Sequence, residues 1–137
     1  MAVRESIAIG TEIEPLEREI TASQVDAYAE ASGDHNPIHL NDEFAKMVGL
    51  PGRIAHGLLT MGVLTEAVAR WAGSYGSIAS VECRFSKPML VGDTITITGK
   101  VVDINNVRGV AILELDAVSS NSEKVLTNAI AEVRLSK

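Results

Sequence analysis

Gly57-Leu-Leu-Thr-Met-Gly-Val-Leu-Thr-Glu-Ala-Val-Ala-Arg-Trp-Ala72 is the stretch on which the fold turns. On an ideal helix its Leu58, Leu59, Met61, Val63, Leu64, Val68 and Trp71 spread around most of the circumference, with the small residues Gly57, Gly62, Ala67 and Ala69 between them. A helix apolar on so many sides has to be surrounded by other structure. The downstream sequence offers that surround. Residues 78–87, 94–104, 110–119 and 125–135 alternate in polarity or run β-branched, and they are separated by Gly92-Asp93, residues 105–109 and residues 121–124, the pattern of antiparallel strands joined by short turns. Hairpin neighbours are expected, with room for one longer crossover. The fold class is α+β: one long central helix wrapped by a curved antiparallel sheet of four strands. A long edge strand on so small a sheet is an open template, and pairing with a second copy is the usual remedy, so a dimer is expected.

Upstream of the long helix the signals are local. Thr21-Ala-Ser-Gln24 has the form of a capping box, and Gly33 supplies the left-handed residue that closes a helix ending at Ser32 or Gly33. Val25, Tyr28, Ala29 and Ser32 fall on one face of it. The segment Asp34-His35-Asn36-Pro37-Ile38-His39 cannot continue that helix, because the proline ring disfavours the helical conformation of Asn36 and removes an amide, and a loop is expected there. Asn41 then caps a second short helix through Val48, with Glu43 in its first turn and Gly49 at its end, followed by a turn at Leu50-Pro51-Gly52.

Composition bounds the function. The chain has 137 residues, enough for one core and too few for two, so residues 1–137 read as a single domain. Its 12 Lys and Arg against 18 Asp and Glu give a formal charge of −6, with no basic cluster of the kind that tracks a phosphate backbone, which argues against nucleic acid as a partner. Cys83 is the single cysteine, so no intrachain disulfide can form and a cysteine-rich zinc site is excluded. Residues 1–10 lack the pattern of a signal peptide, and the longest apolar stretch, residues 55–72, is broken by Glu66 and Arg70. A cytoplasmic protein without membrane insertion is the expectation.

Chemistry concentrates around Pro37. The ring stiffens a loop that holds a carboxylate, Asp34, and an imidazole, His39, with the amide of Asn36 between them to orient or hydrogen-bond. The competing reading is that Asp34 and Asn36 only make turn hydrogen bonds after a helix. A metal site built on His35, His39 and His56 is disfavoured, since Pro37 breaks the helical register that would align two histidines four apart. There is no Gly-x-Ser-x-Gly elbow and no glycine-rich phosphate loop, and Cys83 falls inside an expected strand.

Tyr28-Ala-Glu-Ala-Ser-Gly-Asp34-His-Asn36-Pro37-Ile-His39, followed by Ala55-His56-Gly57-Leu-Leu-Thr-Met and by Arg84-Phe-Ser-Lys-Pro-Met-Leu-Val-Gly-Asp93, resembles the MaoC-like family of (R)-specific enoyl-CoA hydratases and 3-hydroxyacyl-thioester dehydratases. The resemblance runs across nearly the whole chain. It implies the hot-dog fold, usually dimeric, and a cofactor-free, metal-free lyase that hydrates trans-2-enoyl thioesters of coenzyme A or acyl carrier protein. It places Asp34 and His39 on the catalytic pair and Gly57 on the glycine whose amide faces the thioester carbonyl. Hydration needs a base, an acid for the α-carbon and a donor for the enolate oxygen. His39 suits the base, and Asp34, if shielded from water, the acid, although the two can share one water and exchange roles. Gly57 at a helix start offers a free amide, the alternative being that it serves close packing. Thr65 falls where relatives often carry a serine, but a threonine bonding its own helix is the simpler account. His56 reads equally as structural. Arg84 and Lys87 are candidates for the phosphates of the thioester arm, or simply a solvated strand face. Two other functions compete: a hot-dog thioesterase, and a noncatalytic acyl-binding subunit of a heterodimer.

Overall fold

The computed structural model describes residues 7–136; Met1–Ser6, part of the N-terminal stretch considered above, lie outside the described residues. In chain order the elements are β1 (Leu16–Glu19), α1 (Ala22–Ser32), α2 (Pro37–Leu40), α3 (Asp42–Met47), α4 (Gly57–Tyr75), β2 (Gly76–Phe85), β3 (Thr94–Asn105), β4 (Val110–Ser119) and β5 (Lys124–Leu135). The strands form one antiparallel sheet in the order β1-β3-β4-β5-β2. Strands β3, β4 and β5 are a meander of short turns. Two links cross the sheet: β1 to β2, by way of the helices, from one edge to the other, and β2 to β3, back across it.

Helix α4 packs on the sheet with Val63, Leu64, Ala67, Val68 and Ala72 buried, in one core with Ile95, Ile97, Val101, Leu113, Ala131 and Val133. The helix runs three residues beyond the expected end, and β2 starts at once at Gly76. Only glycine fits there, since a Cβ would lie 1.8 Å from the carbonyl oxygen of Arg134 on β5. That close approach lets the helix turn directly into the sheet.

Four expectations need correction. Strand β2 spans 76–85 and not 78–87, because Pro88 and the bonds from the Ser86 and Lys87 amides to one Val125 carbonyl end the regular ladder early. A fifth strand, β1, pairs with the start of β3; its sequence Leu-Glu-Arg-Glu has one apolar residue, too little for alternation to register, and its charges suit a short edge. Within the expected loop, residues 37–40 wind into a helical turn. Pro37 occupies its first position, where a missing amide costs nothing, and the Asn36 side chain caps it by accepting from the Ile38 amide at 3.2 Å. Helix α4, finally, is not enclosed on every side by its own chain: Leu58 is 64% exposed, and Gly62 and Ala69 also face outward.

The helix caps expected before α4 are formed, although α3 ends at Met47, one residue before the expected Val48. Thr21 and Gln24 make the reciprocal capping box, and Gly33 closes α1 at φ 77°. Asn41 caps α3 by accepting from the Phe44 amide at 2.9 Å. Among the described residues, no helix is long and apolar enough to cross a membrane.

Candidate active site

The turn α2 aims His39 inward, where it is 7% exposed. Its Nδ1 lies 2.8 Å from the Ile54 carbonyl oxygen. A carbonyl can only accept, so Nδ1 carries a proton, and in the neutral ring the lone pair is on Nε2. That lone pair belongs to the nitrogen facing Asp34, whose Oδ2 is 3.8 Å away. The separation is too long for a direct hydrogen bond. Asp34 is fixed from its other side, with Oδ1 accepting from the Asn36 amide at 3.2 Å and its own amide donating to the Ser32 hydroxyl at 3.1 Å. Its side chain is 51% exposed, so the shielding from water expected for an acid is not provided by this chain.

Residue Ile54 locks His39 twice, because its amide also donates to the Ile38 carbonyl at 3.2 Å. The segment around it is itself tied down: the Ala55 amide donates to the Met89 carbonyl at 2.8 Å and the Val91 amide to the Arg53 carbonyl at 3.0 Å. Arg53 adds a brace that the sequence reading overlooked. Its Nε donates to the His39 carbonyl at 2.7 Å and its guanidinium pairs with Asp26 on α1 at 2.6 Å. The partners are 14 and 27 residues away in sequence, and no local pattern marks such a contact.

His56 completes a stack of three rings. It lies between Tyr28, centroid 4.7 Å away, and His39, 3.9 Å away, and its Nε2 donates to the Asp34 main-chain oxygen at 3.0 Å. It is also the N-cap residue of α4, yet its side chain makes no capping bond. The other three helices are all capped by side chains, from Thr21, Asn36 and Asn41. Gly57, the first residue of α4, thus presents its amide at the positive end of a 19-residue helix with no partner among the described residues. The buried Thr60 hydroxyl donates to the Gly57 carbonyl at 2.6 Å and fixes that first turn.

Asp34, His39 and His56 bring one ligand atom each within 4.8 Å of one another, so Asp34 stands where the sequence reading had considered His35. The two imidazoles do not suit a shared ion. Their planes are stacked at 24°, and an ion held about 2.0–2.1 Å from both nitrogens would have to lie in both ring planes, which do not meet within that reach.

Two cavities flank the pair. The one beside His39, about 210 Å³, is lined by His39, Ile54, Thr60, Met89 and Val125 among others; the one beside Asp34, about 350 Å³, by Tyr28, Ser32, Asp34, His56 and Leu58. Gly57 and Phe85 line both. Of the remaining candidates, Lys87 lines the cavity beside His39, while Arg84 is exposed on β2, paired across the ladder with Thr127. The Asn36 side-chain oxygen is engaged in its cap. Thr65 donates to the Met61 carbonyl at 2.8 Å and lines neither cavity; Thr60, one turn earlier, is the hydroxyl beside the pair. Cys83 is half-buried, and burial pushes its thiol up from its ordinary value, which keeps it protonated and a poor nucleophile.

A long helix laid across a curved antiparallel sheet, with an uncapped start near Asp34 and His39, is the hot-dog architecture. The chain belongs to the MaoC-like domain family, whose model matches residues 5–122. It is 36% identical over 102 residues to the 3-hydroxybutyryl-CoA dehydratase of Methylorubrum extorquens, an alignment covering 73% of this chain and 64% of that one. It is 31% identical over 90 residues to the (R)-specific enoyl-CoA hydratase of Rhodospirillum rubrum, covering 65% and 62%. The chain therefore spans somewhat less than two thirds of these relatives. The solved (R)-hydratase from A. caviae involved in PHA biosynthesis superposes with a TM-score of 0.88 at 25% identity, covering 96% of this chain and 99% of that one.

Proposed function

We propose that this protein is a hydro-lyase that reversibly adds water to trans-2-enoyl thioesters, giving (R)-3-hydroxyacyl thioesters. The observation that carries the reading is the placement of the free His39 Nε2 and the Asp34 carboxyl, 3.8 Å apart, beside the unpartnered Gly57 amide. A water seated about 2.8 Å from both atoms accommodates the 3.8 Å gap as the apex of a triangle. His39 takes a proton from that water as its oxygen bonds to the β-carbon. The electron pair of the double bond moves to the carbonyl oxygen, where the Gly57 N–H stabilises the enolate. The α-carbon then gains a proton from Asp34, which is reprotonated at the expense of His39, so that the two hydrogens of one water end on the hydroxyl and the α-carbon. Asp34 and His39 can also divide these roles the other way.

The exposed amide and carbonyl edge of β2, together with Leu58, Gly62 and Ala69 on α4, supports a homodimer. Lys87 and, further out, Arg84 are the cations available to the phosphates of coenzyme A or of an acyl-carrier arm. A cytoplasmic enzyme suits the single, protonated cysteine.

The test is to mix purified protein with crotonyl-CoA, follow loss of the enoyl absorbance and monitor free thiol in parallel. Loss of the chromophore without thiol release, and an (R)-3-hydroxybutyryl product, are expected. Thiol release would make it a thioesterase, and neither signal would leave only a binding role.

A further inference from the structure

Two described residues other than glycine have a positive φ: Ser122, in the turn before β5, and Asn128, at 49° within β5 itself. Inside a strand that conformation is out of place. Both neighbouring strands show its effect. From Leu115↔Ala129 to Ala117↔Leu126, β4 advances by two residues and β5 by three; from Glu82↔Ile130 to Arg84↔Thr127, β2 advances by two and β5 again by three. The extra residue is a β-bulge, and asparagine is among the few residue types that accept the left-handed conformation.

The bulge reverses the alternation of side chains. On one side of it the odd-numbered Ala129, Ala131 and Val133 are buried, and on the other the even-numbered Leu126. A strand of strict alternation would set Thr127 opposite Ala117 in the core and turn Leu126 outward. The end of β5 placed in this way holds the chain beside His39. The Val125 carbonyl accepts from the Ser86 amide at 2.9 Å and from the Lys87 amide at 3.4 Å, and the Thr127 hydroxyl bonds the Ser86 hydroxyl at 2.5 Å. Further along the same segment the carbonyl of the buried Met89 accepts from the Ala55 amide at 2.8 Å, and the residue before Ala55 is Ile54, whose carbonyl accepts from His39 Nδ1. Hydrogen bonds therefore lead from the bulged end of β5 to the imidazole by way of residues 86–89 and 54–55.

We infer that Asn128 is a positioning residue of the site: its left-handed bulge fixes the register in which β5 grips residues 86–89, and through Met89 and Ile54 that register sets His39. The effect on rate rests on the hydratase reading, whereas the effect on the placement of His39 does not.

Asn128→Gly, Asn128→Ala and Asn128→Val are compared with wild type. The Asn128 side chain is exposed, so none of the three removes core packing. Glycine takes a positive φ freely, alanine at a cost and the β-branched valine at a greater one. Crotonyl-CoA hydration gives kcat and KM. Nitrogen-15 NMR spectra give the resonances of the Ser86 and Ala55 amides and of the His39 ring nitrogens, with the Val101 and Ile20 amides, on the other side of the sheet, as references. All are recorded well below each melting temperature, where a loss of stability alone moves neither readout.

Asn128→Gly should stay within about twofold of wild type in kcat, Asn128→Ala should lose about threefold and Asn128→Val about tenfold or more, with smaller changes in KM. The Ser86, Ala55 and His39 resonances should move in the same order while those of Val101 and Ile20 stay in place. A kcat within about twofold of wild type in both Asn128→Ala and Asn128→Val overturns the inference, as does a loss in Asn128→Gly as large as in Asn128→Val. Where Asn128→Val does not fold, Asn128→Ala against Asn128→Gly decides in the same way. Wild-type protein that leaves crotonyl-CoA unchanged, with His39 resonances that still follow the series, sinks the hydratase reading alone. Hydration by wild type with unmoved Ala55 and His39 resonances in Asn128→Ala and Asn128→Val sinks the positioning role alone.

Discussion

His39 turns its Nε2 to the Asp34 carboxyl group across 3.8 Å because its other nitrogen is committed to the Ile54 carbonyl. The tautomer needed by a base is thus set by the backbone of a segment that is itself bonded to residues 89 and 91. Asp34→Asn and His39→Gln should each lower crotonyl-CoA hydration by about 100-fold or more while leaving the circular dichroism spectrum native. Near-normal rates in both would remove the pair from the mechanism.

Arg53 acts on the pair only through His39. Arg53→Gln loses the guanidinium bond to Asp26 and the Nε bond to the His39 carbonyl, so α2 is held less firmly. The expected result is a drop in kcat of about tenfold with KM for crotonyl-CoA little changed, because the lost interaction orients a reacting group and binds no substrate. Arg53→Lys, which keeps a cation near Asp26 but lacks the two-sided reach, should recover stability more than rate. A rise in KM at constant kcat would assign Arg53 to binding.

Gly57→Ala separates stability from activity. The added methyl would press on the Phe85 ring, which has to yield by a few tenths of an ångström, and would stand beside the amide proposed to face the thioester carbonyl. Helix propensity favours alanine, so the melting temperature should be unchanged or higher while hydration falls by at least about tenfold. Full activity in this variant would dismiss the Gly57 amide as the oxyanion donor.

Glu66 on α4 receives a two-pronged bond from Arg18 on β1, at 2.7 and 2.8 Å, and is also paired with Arg70 at 2.6 Å. The bond from Arg18 holds the Glu66 carboxyl below its ordinary value, with the charges of Arg18 and Arg70 acting in the same direction. A lowered folded-state value means that the unfolded chain takes up the proton first. The stabilisation is therefore complete above the ordinary carboxylate range near about 4.3 and is lost as pH falls through the folded value. Glu66→Gln should melt at lower temperature than wild type at pH 7, and the gap should close on acidification below about pH 4. A gap that persists unchanged at pH 3 would show that the ion pair contributes nothing.

Much of the fold was legible because its signals are local. Thr21, Gln24 and Gly33 bound α1 by chemistry contained in a few residues, and the turns around Gly92 and residues 105–109 separate β3 and β4 as read. Strand β1 was not legible, because its pairing with β3 is decided by distant partners and its own residues are mostly charged. In the site, the proline that ruled out a continuing helix also starts a new one, and a pattern of residue types does not distinguish a proline that ends a helix from one at a first position. Thr65 rested on the family resemblance, at a position where relatives often carry a serine; Thr60, and not Thr65, lines the cavity beside His39. His56 and Arg53 gained their positions only when α1, α2 and the segment before α4 came together.

The order of strands has a consequence for synthesis on the ribosome. Strand β2, which delivers Phe85, has its ladder partner in β5, so it emerges long before the strand it must zip against. Val125, which lines the cavity beside His39, arrives with the same late strand. A nascent chain halted before residue 124 should therefore hold the His39 imidazole and the Asp34 carboxyl but not the complete cavity wall beside them, and such pairings of distant segments are slow to form. Competence to bind a thioester would appear in one step, when the final strand slides between two that are already waiting.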